Sequence, residues 1–191
     1  MESTTFYFEQ PGEINREKTL ELAKLRADAL GIKSIVVAST IGKTGVLAVQ
    51  VFKGYKVIVV THVFGFREPN TNEFLDENRE FVENHGGIVL TAAHAFGGLQ
   101  RALAPEGTHP HPGLAMGDVI AMALRTFGQG TKVALECAAM AADAGYVRTD
   151  EDIVSIGGTG LGADTALVLR PAPTHRFFNT RVHEIICKPR L

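Results

Sequence analysis

The sequence predicts a three-layer α/β/α domain with a mostly parallel sheet and an antiparallel C-terminal edge, and three observations point to this class. Short apolar runs alternate with helical patterns over the first 90 residues, the signature of right-handed βαβ units with helices on both sheet faces. Ser34 to Ala38 and Lys56 to Thr61 are almost continuously apolar, as parallel strands covered on both sides are. Asp152 to Ile156 and Thr165 to Arg170 are parted only by a glycine-rich loop, which reads as a tight hairpin. At 191 residues, against ~100–200 for a typical domain, residues 1–191 are expected to form one domain.

Thr4 to Phe8 alternates β-branched and aromatic residues and reads as the first strand, closed by Pro11-Gly12. A helix follows from Asn15, a candidate N-cap, with Leu20, Ala23, Ala27 and Leu30 at helical spacing and Gly31 placed for a left-handed C-terminal residue. After the strand Ser34 to Ala38 comes a polar loop, Ser39 to Gly45, and a short helix through Val46, Leu47, Val49 and Val51. Beyond the strand Lys56 to Thr61, His62 to Asn70 is a loop, and Asn72 to His85 is expected to be helical until Gly86-Gly87 stops it. Ile88 to Thr91 is a strand. Ala92 to Gly113 is rich in Gly, Pro and His and reads mostly as loop, with a helical turn or two over Gly97 to Leu103. Asp118 is placed to cap a helix through Ile120, Leu124 and Phe127. Thr131 to Ala144, apolar nearly all round, is expected to be a buried helix. A last strand, Val182 to Cys187, is stopped by Pro189.

Composition limits the function classes. Apolar residues make up 45% and charged residues 21% of the chain, a globular composition that argues against disorder and coiled coil. A net charge of −2 gives no global field for gripping nucleic acid. There is no 18-residue apolar span to cross a bilayer, and the N-terminus lacks the pattern of a secretory signal, so a cytoplasmic location with no membrane partner is expected. Cys137 and Cys187 stand in apolar surroundings, as buried reduced thiols do.

In parallel sheets ligands bind outside the carboxyl ends of the strands, so the loops beginning at Ser39, His62, Ala92 and Gly157 are the ones to inspect. Ala38-Ser39-Thr40-Ile41-Gly42-Lys43-Thr44-Gly45 holds three hydroxyls, two glycines and one lysine at a strand-to-helix turn. Unpaired N–H groups and the positive end of the helix dipole make such a turn an anion cradle; the alternative is a solvated turn whose Ser and Thr merely cap the helix. A Walker loop would require glycine where Val37 stands. The second loop, Gly157 to Thr165, matches a dinucleotide fingerprint between Gly158 and Ala163, but a strand rather than a helix follows it, so it reads as amides near a ligand or as a simple hairpin.

Other polar residues carry weaker signals. His62 and His94 each follow a strand and share the rim with both loops. His109-Pro110-His111 has no Cys or acidic partner nearby, so no metal site is expected. Glu136 is the one acid within an apolar helix; it is either paired with a backbone group or lysine, the favoured reading, or a general acid/base.

The two loops resemble the C-terminal α/β domain of pyruvate kinase, where a strand leads through Thr-Lys-Ser-Gly-Arg-Ser into a helix and a glycine-turn hairpin closes the sheet. The chain is still more similar to stand-alone prokaryotic proteins of this domain type, which share the runs found here at Met140 to Gly145 and Gly162 to Ala166. The catalytic barrel of the kinase has no counterpart, so no pyruvate kinase activity is implied. The resemblance implies instead a cleft for a phosphorylated small molecule, with flavin mononucleotide (FMN) as first choice; a homo-oligomer is also expected. The Trp and Arg of the kinase effector loop are missing from Gly157 to Asp164, which speaks against a sugar bisphosphate.

On this reading Ser39, Thr40, Gly42, Lys43, Thr44 and Gly45 hold the phosphate. Thr159, Gly160, Gly162, Asp164 and Thr165 supply backbone and polar contacts, and Thr61, His62, Gly65 and His94 line the rim. Two other classes stay open: a flavin-dependent oxidoreductase or phosphate-ester enzyme using His62 or His94 as acid/base with Asp164 orienting it, and a non-catalytic oligomeric interaction module. No catalytic triad is visible.

Overall fold

The computed structural model describes residues 3–99, 102 and 116–190. Among the described residues seven strands form one sheet: β1 (Phe6–Phe8), β2 (Ser34–Ala38), β3 (Lys56–Val60), β4 (Ile88–Leu90), β5 (Ile153–Gly157), β6 (Thr165–Arg170) and β7 (Arg181–Pro189), in the spatial order β1-β7-β6-β5-β2-β3-β4. β6 runs antiparallel to β5 and β7, and the pairs β1·β7, β2·β3, β2·β5 and β3·β4 are parallel. The sheet is thus mostly parallel, with its antiparallel pairs among the C-terminal strands.

Side chains alternate across the sheet, as the period of two demands. Ile35, Val37, Val154 and Ile156 face helices α1 (Arg16–Leu30), α2 (Lys43–Val51) and α3 (Asp76–Asn84) through Leu20, Ala23, Ala48, Val49 and Val82. Val36, Ile58, Ile153 and Leu167 face α5 (Gln129–Asp143), which meets them with Ala134, Cys137, Ala138, Met140 and Ala141. Outside α5 lie α4 (Met116–Arg125) and a 3-10 helix, Thr174–Asn179, packing Leu124 and Phe177 against this second core. Among the described residues no helix is long and apolar enough to cross a membrane.

All seven expected strands form, and the differences concentrate at helix starts. α2 begins at Lys43 rather than Val46 because Gly42, at φ 101°, turns the chain early and Ser39 Oγ accepts the Gly45 N–H at 3.2 Å. Both glycines are required by packing: a Cβ on Gly42 would meet Asn78 Cβ at 2.4 Å, and one on Gly45 would meet Val59 Cγ1 at 2.7 Å. α3 begins at Asp76 rather than Asn72, since Asn72 Oδ1 accepts the Phe74 N–H at 2.8 Å and makes a turn instead. Asn15 stands before α1 without a side-chain cap, its Nδ2 donating to Gln10 O at 2.6 Å. Asp118 lies inside the first turn of α4, and β7 extends through Pro189, which pairs with Phe8. Positions 100, 101 and 103 of the expected turn, and His109-Pro110-His111, lie outside the described residues.

The small residues of α5 let its backbone approach β5. A Cβ on Gly157 would stand 2.3 Å from Gly130 O and 2.7 Å from Ala134 N, both backbone atoms that cannot rotate away. Gly157→Ala is therefore expected to destabilise the fold by ~1–3 kcal/mol through overpacking, read as a lower urea midpoint at unchanged slope.

Candidate functional site

β3 and β4 succeed β2 on one side of it, whereas β5 lies on its other side, so the loops leaving β2 and β5 part at their carboxyl ends. Such a reversal of strand order opens a crevice, and a cleft of about 360 Å³ lies there. Ala38 to Thr40 and Thr44 form one wall, Gly158 and Gly160 to Gly162 a second, and Thr61, His62, Phe66 and His94 a third. α5 supplies the floor with Lys132, Val133, Glu136, Cys137 and Met140, and Arg125 and Gln129 complete the wall.

The glycine loop is tied down by polar contacts. The Arg16 guanidinium, on a side chain only 15% exposed, donates to Thr44 Oγ1 at 3.1 Å, Glu13 Oε1 at 2.8 Å and Leu161 O at 3.0 Å. It holds the Glu13 carboxyl below its usual range and joins α1, α2 and the glycine loop. Asp164, fully buried, accepts the Gly12 N–H at 2.9 Å and the Thr165 hydroxyl at 2.8 Å. Gly162 leaves room for this N-terminal segment, since a Cβ there would meet Glu13 Cα at 2.2 Å. Gly160, at φ 64° with open space where a Cβ would stand, is among the residues that line the cleft.

On the third wall, His62 Nδ1 lies 2.5 Å from Glu73 Oε2, and Arg67 Nε approaches Glu73 Oε1 at 2.8 Å. The His62 ring centroid is 4.4 Å from that of Phe66 and 5.3 Å from that of His94. Thr61 Oγ1 hydrogen-bonds with His62 O and Thr91 Oγ1, each at 2.8 Å. In the floor, the Lys132 ammonium donates to Glu136 Oε2 and the Phe96 N–H donates to Glu136 Oε1 at 3.0 Å. Burial pushes the Glu136 carboxyl up, but the Lys132 ammonium and the Phe96 N–H outweigh it and leave its pKa below the usual value. Glu136 is thus a paired carboxylate, bound by the Lys132 ammonium and the Phe96 N–H. Burial raises the Cys137 thiol far above its ordinary value and pushes Cys187 up to about 12, so neither is a thiolate nucleophile at neutral pH.

Of the residues singled out in the sequence, Ser39, Thr40, Thr44, Thr61, His62, His94, Gly160 and Gly162 meet around this cleft. Gly42 and Gly45 instead serve helix packing. The Lys43 side chain is exposed and outside the cleft walls, and Gly65 turns the chain beyond the rim at φ 75°. Thr159 accepts the Gly162 N–H at 3.4 Å within its own loop. Asp164 and Thr165 are buried behind the loop, where Asp164 clamps Gly12; it is Glu73, not Asp164, that orients His62. Sequence reading missed Arg16, Phe66, Glu73, Arg125, Gln129 and Lys132. Only Lys132 had a readable signal, its i,i+4 spacing from Glu136.

Lys132→Met is expected to cost ~3–5 kcal/mol by leaving Glu136 charged and buried without its partner, and Lys132→Met/Glu136→Gln should recover most of that loss. Because the folded-state pKa of Glu136 is depressed, its stabilisation is complete above its unfolded pKa of about 4.3 and is lost as pH falls through the folded value. Urea unfolding across pH 3–7 should therefore show a shallower acid limb for the double variant than for the native chain.

The family described as pyruvate kinase, alpha/beta domain, matches residues 17–169, a span that runs from the first turn of α1 into β6 and takes in every wall of the cleft. The match agrees with the resemblance carried by the Ser39 to Gly45 turn and the glycine-turn hairpin. With its mixed sheet, its helices on both faces and this matched span, the chain belongs to the pyruvate kinase alpha/beta domain family.

Proposed function

We propose that the cleft binds a phosphate-bearing small molecule, with flavin mononucleotide as first choice. The observation that carries this reading is the composition of its walls. At one end the first N–H groups of α2, at Lys43 and Thr44, have no intrahelical partner and stand beside the hydroxyls of Ser39, Thr40 and Thr44 and the open backbone of Gly160. That donor set suits a phosphate dianion at a helix N-terminus. At the other end Val60, Phe66, Met140 and the rings of His62 and His94 offer apolar and aromatic surface to a planar ring. A volume of about 360 Å³ falls within the ~300–1,000 Å³ of small-molecule sites.

In this assignment Ser39, Thr40, Thr44 and Gly160 hold the phosphate, and His62, Phe66 and Met140 border the ring. Bound flavin supplies one- or two-electron redox chemistry, and the protein supplies orientation and exclusion of water. A second reading, a flavin-dependent oxidoreductase or phosphate-ester enzyme acting in the same cleft, is favoured by the His62–Glu73 pair. A carboxylate at Nδ1 fixes the imidazole and leaves Nε2 as the nitrogen that exchanges a proton.

The test is a fluorescence titration with FMN and riboflavin. The native chain should bind FMN the more tightly, and Thr44→Val should weaken FMN binding roughly ten- to a hundredfold by removing one hydrogen bond to a charged group. Lys43→Ala, which removes an exposed charge, should cost less. Equal affinity for FMN and riboflavin would sink the phosphate cradle.

A further inference from the structure

A phosphate cradle on α2 leaves unused the group that α5 carries into the same cleft. Lys132 is 6% exposed on a helix whose other buried residues are mostly Ala, Leu, Cys and Met. Its ammonium has three N–H donors. One goes to Glu136 Oε2, and among the described residues the other contact of the ammonium is with the Phe96 ring, whose centroid lies 5.6 Å from Nζ. Glu136, in turn, is satisfied on both oxygens, by Lys132 and by the Phe96 N–H. Among the described residues, two ammonium donors of this buried lysine in the cleft floor thus have no acceptor.

Packing does not explain this arrangement. A buried ion pair is commonly matched or exceeded in stability by apolar residues of similar volume, and α5 already fills its surroundings with such residues. A buried ammonium with spare donors is stabilised by an acceptor that arrives with a ligand.

We infer that the site has two polar ends and selects ligands that carry, besides the phosphate, an acceptor-rich imide, received by the two spare donors of Lys132. For a flavin this is the pyrimidinedione edge of the ring. The inference rests on the phosphate reading above and assigns Lys132 as the residue that distinguishes a flavin from a bare sugar-alcohol phosphate. Glu136 holds the ammonium in place.

The experiment compares FMN with ribitol 5-phosphate, the phosphorylated tail alone, by calorimetry on the native chain and on Lys132→Met/Glu136→Gln, in which the pair is removed without stranding a charge. The double variant should lose roughly ten- to a hundredfold in FMN affinity, with ribitol 5-phosphate changed less than about twofold. Retained ribitol 5-phosphate binding also shows that the variant is folded. Difference infrared spectra of bound FMN provide a second readout: in the native chain a ring carbonyl stretch should lie below its position in an aprotic solvent and move back up in the variant. Equal loss of both ligands, or no loss of either, together with unshifted carbonyls, would overturn the role of Lys132 and leave the phosphate cradle standing. Should the variant not fold, an unshifted carbonyl in the native chain overturns that role by itself. If the native chain binds neither ligand, the cradle and this inference fall together.

Discussion

The cleft depends on the parting of the chain on either side of β2. With β3 and β4 on one flank and β5 on the other, the connections leaving β2 and β5 must diverge. The same topology starts α2 at the carboxyl edge of β2 and puts the first turn of α5 against the end of β5, through Gly130 and Gly157. Two helix N-termini consequently border one crevice, and their fields favour negative charge there. The small residues that allow α5 to approach β5 so closely are thus requirements of the site as well as of the core.

Holding that crevice open is the task of polar contacts. Arg16 reaches Thr44 and Leu161, and Asp164 receives the Gly12 amide, so the glycine loop is anchored to the first residue of α1 and to the segment before it. The glycines divide into two kinds. Gly158 and Gly162 are needed because backbone lies where their Cβ atoms would be, whereas Gly160 has open space and a left-handed φ. The loop brings bare backbone to the cleft on a frame with little freedom to collapse into it, an economy that lowers the ordering cost of binding.

Sheet, layers and strand count were legible because burial on both faces imposes continuous apolar runs and βαβ alternation imposes parallel order. Helix starts were harder to read, since they turn on single side-chain bonds such as Ser39 Oγ to the Gly45 amide and Asn72 Oδ1 to the Phe74 amide, which leave no periodic trace. Within the site the rule that ligands gather at strand ends located Ser39, Thr44, His62 and His94. Asp164 lies buried behind the loop on the Gly12 amide, a placement the sequence does not reveal, because a polar residue beside a glycine loop looks the same whether it faces the cleft or the protein. The Glu73 partner of His62 comes from across a loop with no fixed spacing, and Arg16 acts from the start of a helix whose pattern announces only its apolar face.

The central claim, that the α2 N-terminus and the glycine loop form an anion-binding end of one cleft, is tested most directly by amide NMR during a titration with FMN. Saturable shifts concentrated at the amides of Lys43, Thr44 and Gly160, with the Gly65 amide unmoved, are the result this account predicts. Shifts that leave Lys43 and Thr44 in place while the ligand binds elsewhere, or no saturable shift at all, would contradict it.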